Sequence, residues 1–516
     1  MTNTNITMND LLDWLKQNVP EPDAQLSSDS RAIKMGDVFF ALRTLINDGR
    51  QHIAHAVANG AAAVVFEAEG FNWDTSLDVP HLAVSNLQEL AGPVAHAWYG
   101  QADQDWFNVA VTGTNGKTSC SQWIAKALSL SGTPAAVIGT LGVGQYRNGM
   151  LGQLAETGYT TPDAIALQQR LAELNREGAQ ALAIEASSIG LHQGRLNGLH
   201  FDVAVFTNLT RDHLDYHGDM AAYAEAKASL FDWKNLGTAV VNLDDAFGLE
   251  LLARVQKTQA NPKIIGYSLE KTLPSGLAEM PDLAILSASN LKTNYAGTSF
   301  HLDSPFGSGL VKTQLIGKFN VSNVLAVLAV LFSKGITWNK AVAVLEKLTP
   351  VPGRMQLLGT AGHVMVVIDY AHTPDALEKT LEALQQVAQE RSGQLWCVFG
   401  CGGDRDPGKR PQMGKIAEMA QHVVVTSDNP RSESPAQIIQ DILQGMSTAP
   451  QVIDDRANAI LYAIKHADHH DVVLLAGKGH ETYQDINGKK WPFSDEEHAA
   501  LALATVATSG NMKRGS

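Results

Sequence analysis

The stretch Val109-Ala-Val-Thr-Gly-Thr-Asn-Gly-Lys-Thr118 passes from an apolar, strand-like segment through a glycine-rich turn into a helix-forming segment. Such a turn binds phosphate. Glycines let backbone N–H groups face phosphate oxygens, and the helix N-terminus adds partial positive charge. Gly113 and Gly116 make the turn, with Thr112, Thr114, Asn115 and Ser119 completing the candidate ATP loop. Lys117 is spaced to reach the terminal phosphates, and the Thr118 hydroxyl to ligate Mg2+. The first glycine of the usual pattern would fall at Val111, so Gly113 takes up the turn. The plain alternative is a glycine-rich strand–helix connection, but Gly-Lys-Thr in this context favours phosphate. Glu185 closes the apolar segment Ala181–Ile184. A carboxylate at such a strand end suits Mg2+; from the residues alone, a surface carboxylate fits equally well.

The chain that positions these groups has 516 residues, more than one hydrophobic core accommodates, so several domains are expected. Its net charge of −14 argues against a general nucleic-acid binder. The N-terminal residues lack a signal-peptide pattern. The longest apolar run, Val324–Phe332, is too short to span a membrane. Cys120, Cys397 and Cys401 imply no disulfide framework and read as core. Together these features predict a cytoplasmic protein.

Three domains are expected: residues 1–100, 101–348 and 349–516. The first is a smaller α/β unit opening with a helix near Met8–Gln17, with Tyr99–Asp105 as a linker. The second is a P-loop α/β domain whose parallel sheet draws on Phe107–Val111, Ala135–Ile138, Ala181–Ile184, Val203–Phe206 and Thr238–Val241. A helix from Pro162, capped by Thr161, shows one apolar stripe. Thr349-Pro-Val-Pro-Gly353 breaks the pattern, and a Rossmann-like α/β series follows.

Several segments occur in the same order as in a known family: Thr112–Thr118, Glu185-Ala-Ser-Ser188, Thr207-Asn208 with Asp212-His213-Leu-Asp215, Gly317-Lys-Phe-Asn320, and Asp369-Tyr-Ala-His-Thr-Pro-Asp375. The chain thereby resembles the Mur ligases, ATP-dependent amide-forming enzymes of bacterial cell-wall synthesis. The resemblance implies an acyl-phosphate route, with Lys117, Glu185, His213 and Lys227 in the catalytic centre. Thr118, Glu185, His213 and Lys227 would serve Mg2+. Lys227 lies in Ala-Lys-Ala-Ser-Leu-Phe, where the family's lysine is carbamylated by CO2; without the resemblance it would read as a surface lysine. Asn320, Arg354 and Asp369 are similar to residues around the adenosine part of ATP. A helix cap is a second reading of Asn320.

The family extends a UDP-linked muropeptide. Here the resemblance implies UDP-MurNAc-L-Ala-D-Glu, contacted by Ser30, Arg31, Tyr159, Thr160, Thr161, Ser187, Gln193 and Arg195. Relatives usually place Asn at position 159, and Leu42–Asp48 departs from the family's uridine-contacting stretch. Asp428-Asn429-Pro430-Arg431 resembles the motif of members that add meso-diaminopimelate. That amino acid carries a second carboxylate where lysine has none, and an arginine fork holds carboxylate bidentately. Arg405 would be a second anion holder, with Gly477 and Glu481 supplying a turn and a carboxylate for an ammonium. The residue-level alternative for Asn-Pro is a tight turn. Folylpolyglutamate synthesis and a turnover-deficient nucleotide-binding regulator are the competing functions. The first domain and Asp-Asn-Pro-Arg weigh against the former; joint retention of Lys117, Thr118, Glu185, His213 and Lys227 weighs against the latter. A monomer is expected, with no nucleic-acid partner.

Overall fold

The computed structural model describes residues 6–513 apart from 20, 22, 45–46, 271–276, 278–279, 281, 295 and 360–363. Leu45 and Ile46, within the segment expected near uridine, therefore lie outside the described residues. The first sheet is four-stranded and parallel, formed by Leu26–Ser27, Val38–Ala41, Ala63–Glu67 and His81–Val84. Val38–Ala41 is buried along its whole length, as a strand covered on both faces must be. Helices Met8–Asn18 and Leu87–Trp98 cover one face.

The central sheet has eleven strands. Its parallel heart aligns Thr238–Asn242, Val203–Phe206, Phe107–Thr112, Ala181–Glu185 and Ala135–Gly139, side by side in that order. These strands are apolar throughout because helices bury both faces; Lys117–Leu130 and Lys318–Ser333 cover one of them. Antiparallel pairs at both edges, Gly142–Arg147 with Met150–Leu151 and Gly297–Ser304 with Leu283–Asn294 and Gly307–Thr313, have no counterpart among the expected strands, since their alternation is broken by glycine and polar residues. The third sheet has six strands, with Met365–Asp369, Val472–Ala476, Leu395–Phe399 and His422–Val425 adjacent and parallel.

Two local expectations need correction. The helix expected from Pro162 starts at Ala164, because Asp163 accepts from the N–H groups of Ile165 and Ala166. Thr161 is thus free for another role: its hydroxyl donates to the Glu185 carbonyl at 2.7 Å. Asn320 is no cap either; it lies inside helix Lys318–Ser333, and its Nδ2 donates to the Ile316 carbonyl. Tyr99–Asp105 is exposed at Gly100, Gln101, Gln104 and Asp105 and anchored at Asp103. Asp103 is fully buried against His96 and the Asn108 amide.

Candidate functional site

The loop leaves the carboxyl end of Phe107–Thr112 between its two parallel neighbours, where ligand sites gather in such sheets. Val111 remains within the strand, paired with Glu185. A glycine is not needed there, and the turn begins only at Gly113. Gly113 (φ +145°) and Gly116 (φ +88°) hold conformations that side chains disfavour. A Cβ at Gly116 would come within 2.6 Å of Asn323 Oδ1. Asn208 braces the turn: its carbonyl accepts from Thr114 N, and its Oδ1 from Asn115 N. The first-turn N–H groups of Lys117, Thr118 and Ser119 have no partner within the helix, the feature that suits a helix start to anions.

Lys117 folds over this loop, its Nζ donating to the carbonyls of Gly113 (2.9 Å) and Thr114 (2.8 Å). Burial lowers its proton affinity, partly offset by Glu185 and Asp212. Lys227 comes from helix Met220–Ala228 and donates to the same Gly113 carbonyl at 2.8 Å, beneath the Tyr223 ring. It is 1% exposed, and burial together with the Lys117 charge pushes its pKa well down. Two amines converging on one carbonyl favour the neutral form of the more enclosed one.

Glu185, also 1% exposed, accepts from Thr118 Oγ1 (3.1 Å), Thr140 N (2.8 Å) and Thr140 Oγ1 (3.2 Å). Gly139 makes room, since a Cβ there would collide with this carboxylate. Arg354, arriving from the next unit, donates through Nη2 to Thr118 Oγ1 at 3.1 Å and lies over the Tyr370 ring. The result is a chain of contacts from Arg354 through Thr118 to Glu185. Thr118 and Glu185 form a pair of hard oxygen donors beside the phosphate loop, which fits Mg2+, an ion that takes few protein ligands and keeps water and phosphate oxygens. Among the described residues no cluster of three or more His, Cys, Asp or Glu side chains could hold a metal ion. His213 sits in a left-handed backbone conformation with its ring 3.6 Å from Asp212, and burial lowers its pKa.

A cavity of about 650 Å3 adjoins the loop, lined by Asn115, Gly116, Ser119, Asn320, Arg354 and Asp369 among others. Its volume and mixed lining fit a nucleotide. Arg354 Nε is buried there without a partner among the described residues, a donor left for a ligand. Asp369 accepts from Met355 N at 2.8 Å, and burial raises its pKa against the pull of Arg354.

A second cavity, of about 260 Å3, lies where the central and C-terminal sheets meet. It gathers Asp428, Asn429, Arg431, Arg405, Gly477 and Glu481 opposite Thr160, Asp212 and His213. Arg431 has a positive φ of 49°, and its Nη1 donates to the Gly403 carbonyl at 2.7 Å, tying it to the loop that bears Arg405. Arg405 itself faces Asp215 at 3.8 Å. A Cβ at Gly477 would strike Asp428, so only glycine lets these two loops approach. Pro430 does not line this cavity; it connects the residues that do.

The remaining candidates divide. Thr160 Oγ1 lies 3.1 Å from Thr140 Oγ1, and the Thr161 and Ser187 hydroxyls lie 2.9 Å apart. Arg195 donates to the Thr161 carbonyl and to Gln193 Oε1, beneath the exposed Tyr159 ring. These residues form one patch beside Glu185. Ser30 is buried against His55 in the N-terminal unit, whereas Arg31 is exposed and paired with Asp29. Asp212 and His372, present in the family-like segments without a role assigned to them, line the second cavity together with Lys409, and Lys478 lies beneath it. Lys478 stands three residues before Glu481, in the segment Gly477-Lys-Gly-His-Glu481.

Comparison with known proteins agrees with this geometry. Residues 111–331 match the family described as Mur ligase middle domain, and residues 353–479 the one described as Mur ligase, glutamate ligase domain. The chain is 58% identical over 510 residues to the UDP-N-acetylmuramoyl-L-alanyl-D-glutamate–2,6-diaminopimelate ligase of Janthinobacterium sp. (strain Marseille), covering 98% of this chain and 99% of that protein. It is 52% identical to the ligase of the same name from Ralstonia nicotianae, covering 96% and 95%. A solved structure of a ligase of that name aligns with a TM-score of 0.65 and 40% identity, covering 93% of this chain and 94% of that one. MurF from Acinetobacter baumannii shares the fold at a TM-score of 0.63 and 18% identity, covering 96% of this chain and 98% of that one. With the phosphate loop, the paired cavities and these relatives in agreement, the chain belongs to the Mur ligase family.

Proposed function

We propose that this chain joins meso-2,6-diaminopimelate to the D-glutamyl carboxylate of UDP-MurNAc-L-Ala-D-Glu at the expense of ATP, in the cytoplasmic synthesis of peptidoglycan precursor. The observation that carries the reading is the second cavity. It sets Arg431, Arg405, Asn429 and Glu481 of the C-terminal unit against Asp212, His213 and Thr160 of the central one. An amino acid held there would lie against Asp212 and His213 of the central unit. The relatives' printed names supply the substrates.

A carboxylate does not react with an ammonium until it is activated. The glutamyl carboxylate attacks the γ-phosphorus, ADP leaves, and an acyl phosphate forms. The neutral amine of the incoming amino acid then adds to the acyl carbon, and the tetrahedral adduct expels phosphate. Lys117 and the first-turn N–H groups offset the charge that gathers on the transferring phosphoryl group. Thr118 and Glu185 would hold Mg2+, which supplies further neutralisation and in-line orientation of the phosphates. Asn320, Arg354 and Asp369 hold the nucleoside end.

Lys227 fits carbamylation. Its buried, proton-poor amine, in the neutral form, would add to CO2 with loss of one proton, leaving an anionic carbamate. Lys227 and Lys117 share the Gly113 carbonyl, so a carbamate on Lys227 would offset the Lys117 charge and, with Thr118, Glu185 and His213, would serve Mg2+. Labour divides by unit. Residues 1–100, with Ser30 and Arg31, take the UDP end; 101–348 perform phosphoryl transfer; 349–516 select the amino acid. The chain acts as a monomer, and among the described residues no helix is long and apolar enough to cross a membrane.

Oxygen tracing tests the route. With 18O in the D-glutamyl carboxylate, one label should appear in each phosphate released. Release of unlabelled phosphate alongside the amide product would overturn the acyl-phosphate step.

A further inference from the structure

Lys478 is fully buried, so its amine depends on the protein for hydrogen-bond partners. Its Nζ donates to Asn429 Oδ1 at 3.0 Å and to Glu481 Oε2 at 3.1 Å, and it lies 3.7 Å from Asp428 Oδ1. A buried ammonium persists only where such partners replace water. Each partner lines the amino-acid cavity, which Lys478 itself does not.

These bonds fix more than charge. An asparagine amide can be flipped, but here its oxygen accepts from Lys478 and from Asp485 N (3.0 Å), so its Nδ2 must point the other way. Nδ2 accordingly donates to Glu481 Oε2 at 2.8 Å. Both donors to Glu481 fall on Oε2, and no described residue donates to Oε1, which stays available as an acceptor. The same network sets the arginine. Asp485, tied to Asn429 through its N–H, accepts from Arg431 N at 2.9 Å, and Asn487 N donates to the Arg431 carbonyl at 2.8 Å. These bonds secure the positive-φ backbone from which the Arg431 guanidinium reaches Gly403.

We propose that Lys478 is a positioning residue for amino-acid recognition: from beneath the cavity its ammonium locks the Asn429 amide, the free oxygen of Glu481 and the backbone of Arg431 into one arrangement. This rests on the amino-acid site proposed above. Lys478 touches neither substrate nor the reacting atoms.

The test compares wild-type protein with Lys478→Met and Lys478→Gln in the full reaction. For both variants the KM for diaminopimelate should rise at least thirtyfold, while the KM values for ATP and the UDP-dipeptide stay within about twofold. Lys478→Arg, which keeps charge and donors, should recover at least a third of the lost affinity on a logarithmic scale. An unchanged diaminopimelate KM, or an equal rise in all three constants, would overturn the proposal. So would failure of both neutral variants to fold, since that shows a purely structural role. If the wild-type protein itself makes no product with diaminopimelate, the amino-acid site reading fails first; if it does and the variants match it, only the role of Lys478 fails.

Discussion

The phosphate loop and the amino-acid cavity are assembled in opposite ways. The loop is local: one strand, four turn residues and one helix start place most of its donors, and Asn208 and Lys227 brace them. The cavity proposed for the amino acid is assembled from separated loops of the C-terminal unit, around 370–374, 400–409, 428–431 and 477–481, with contributions from Thr160 and 211–215 across the boundary. Chemistry common to a family can sit on a local, rigid element. Selectivity sits on loops that can change one at a time without disturbing it.

Substitutions should separate the two regions, beginning with the largest effect. Lys117→Ala should lower kcat by about 10^3-fold or more whatever amino acid is offered, because it removes a charge from the phosphoryl-transfer centre. Steady-state rates with each amino acid check this, and a loss confined to one amino acid would break the contrast. Lys227→Ala should abolish turnover, and added bicarbonate should not restore it; near-normal activity would remove the carbamate.

Arg431→Ala should act selectively. Losing a charge-assisted contact of about 1.5–3 kcal/mol lowers kcat/KM for diaminopimelate by roughly 10- to 100-fold, leaving the KM for ATP unchanged. A parallel fall in ATP affinity would show that the two regions are not separable.

Stability offers a smaller effect with a definite sign. Burial and the Lys117 charge lower the pKa of Lys227, so between that lowered value and the ordinary 10.5 the folded chain binds fewer protons there than the unfolded chain. The contribution of this site to stability therefore rises with pH across that window. Denaturation midpoints at pH 7 and pH 9 should differ less for Lys227→Met than for wild type. Smallest of all is Asp406→Asn, which breaks the half-exposed ion pair with Arg211 across the two units. Such a pair contributes about 1 kcal/mol or less, and rates should change by less than about threefold.

The same contrast explains what the sequence disclosed. The loop was legible because its residues are contiguous, and the parallel strands because apolar runs between amphipathic helices have few other solutions. Thr161 was misread because a threonine before Pro162 looks like a cap, whereas Asp163 lies two residues nearer the helix and wins the amide bonds. Lys227 carries no local signal; its burial depends on the Gly113 loop, 114 residues earlier. Asp212, His372 and Lys409 become neighbours only when two sheets meet. Lys478 is informative only once Asn429 is known to lie above it.

The central claim is that the cavity around Arg431 selects an amino acid with a second carboxylate and delivers its amine to the activated glutamyl group. Competition measures this most directly: the protein with Mg-ATP, UDP-MurNAc-L-Ala-D-Glu and equal concentrations of meso-diaminopimelate and L-lysine, the products being resolved by mass. The account predicts the diaminopimelate adduct in large excess. A lysine adduct in equal or greater amount, or no adduct with either, would contradict it.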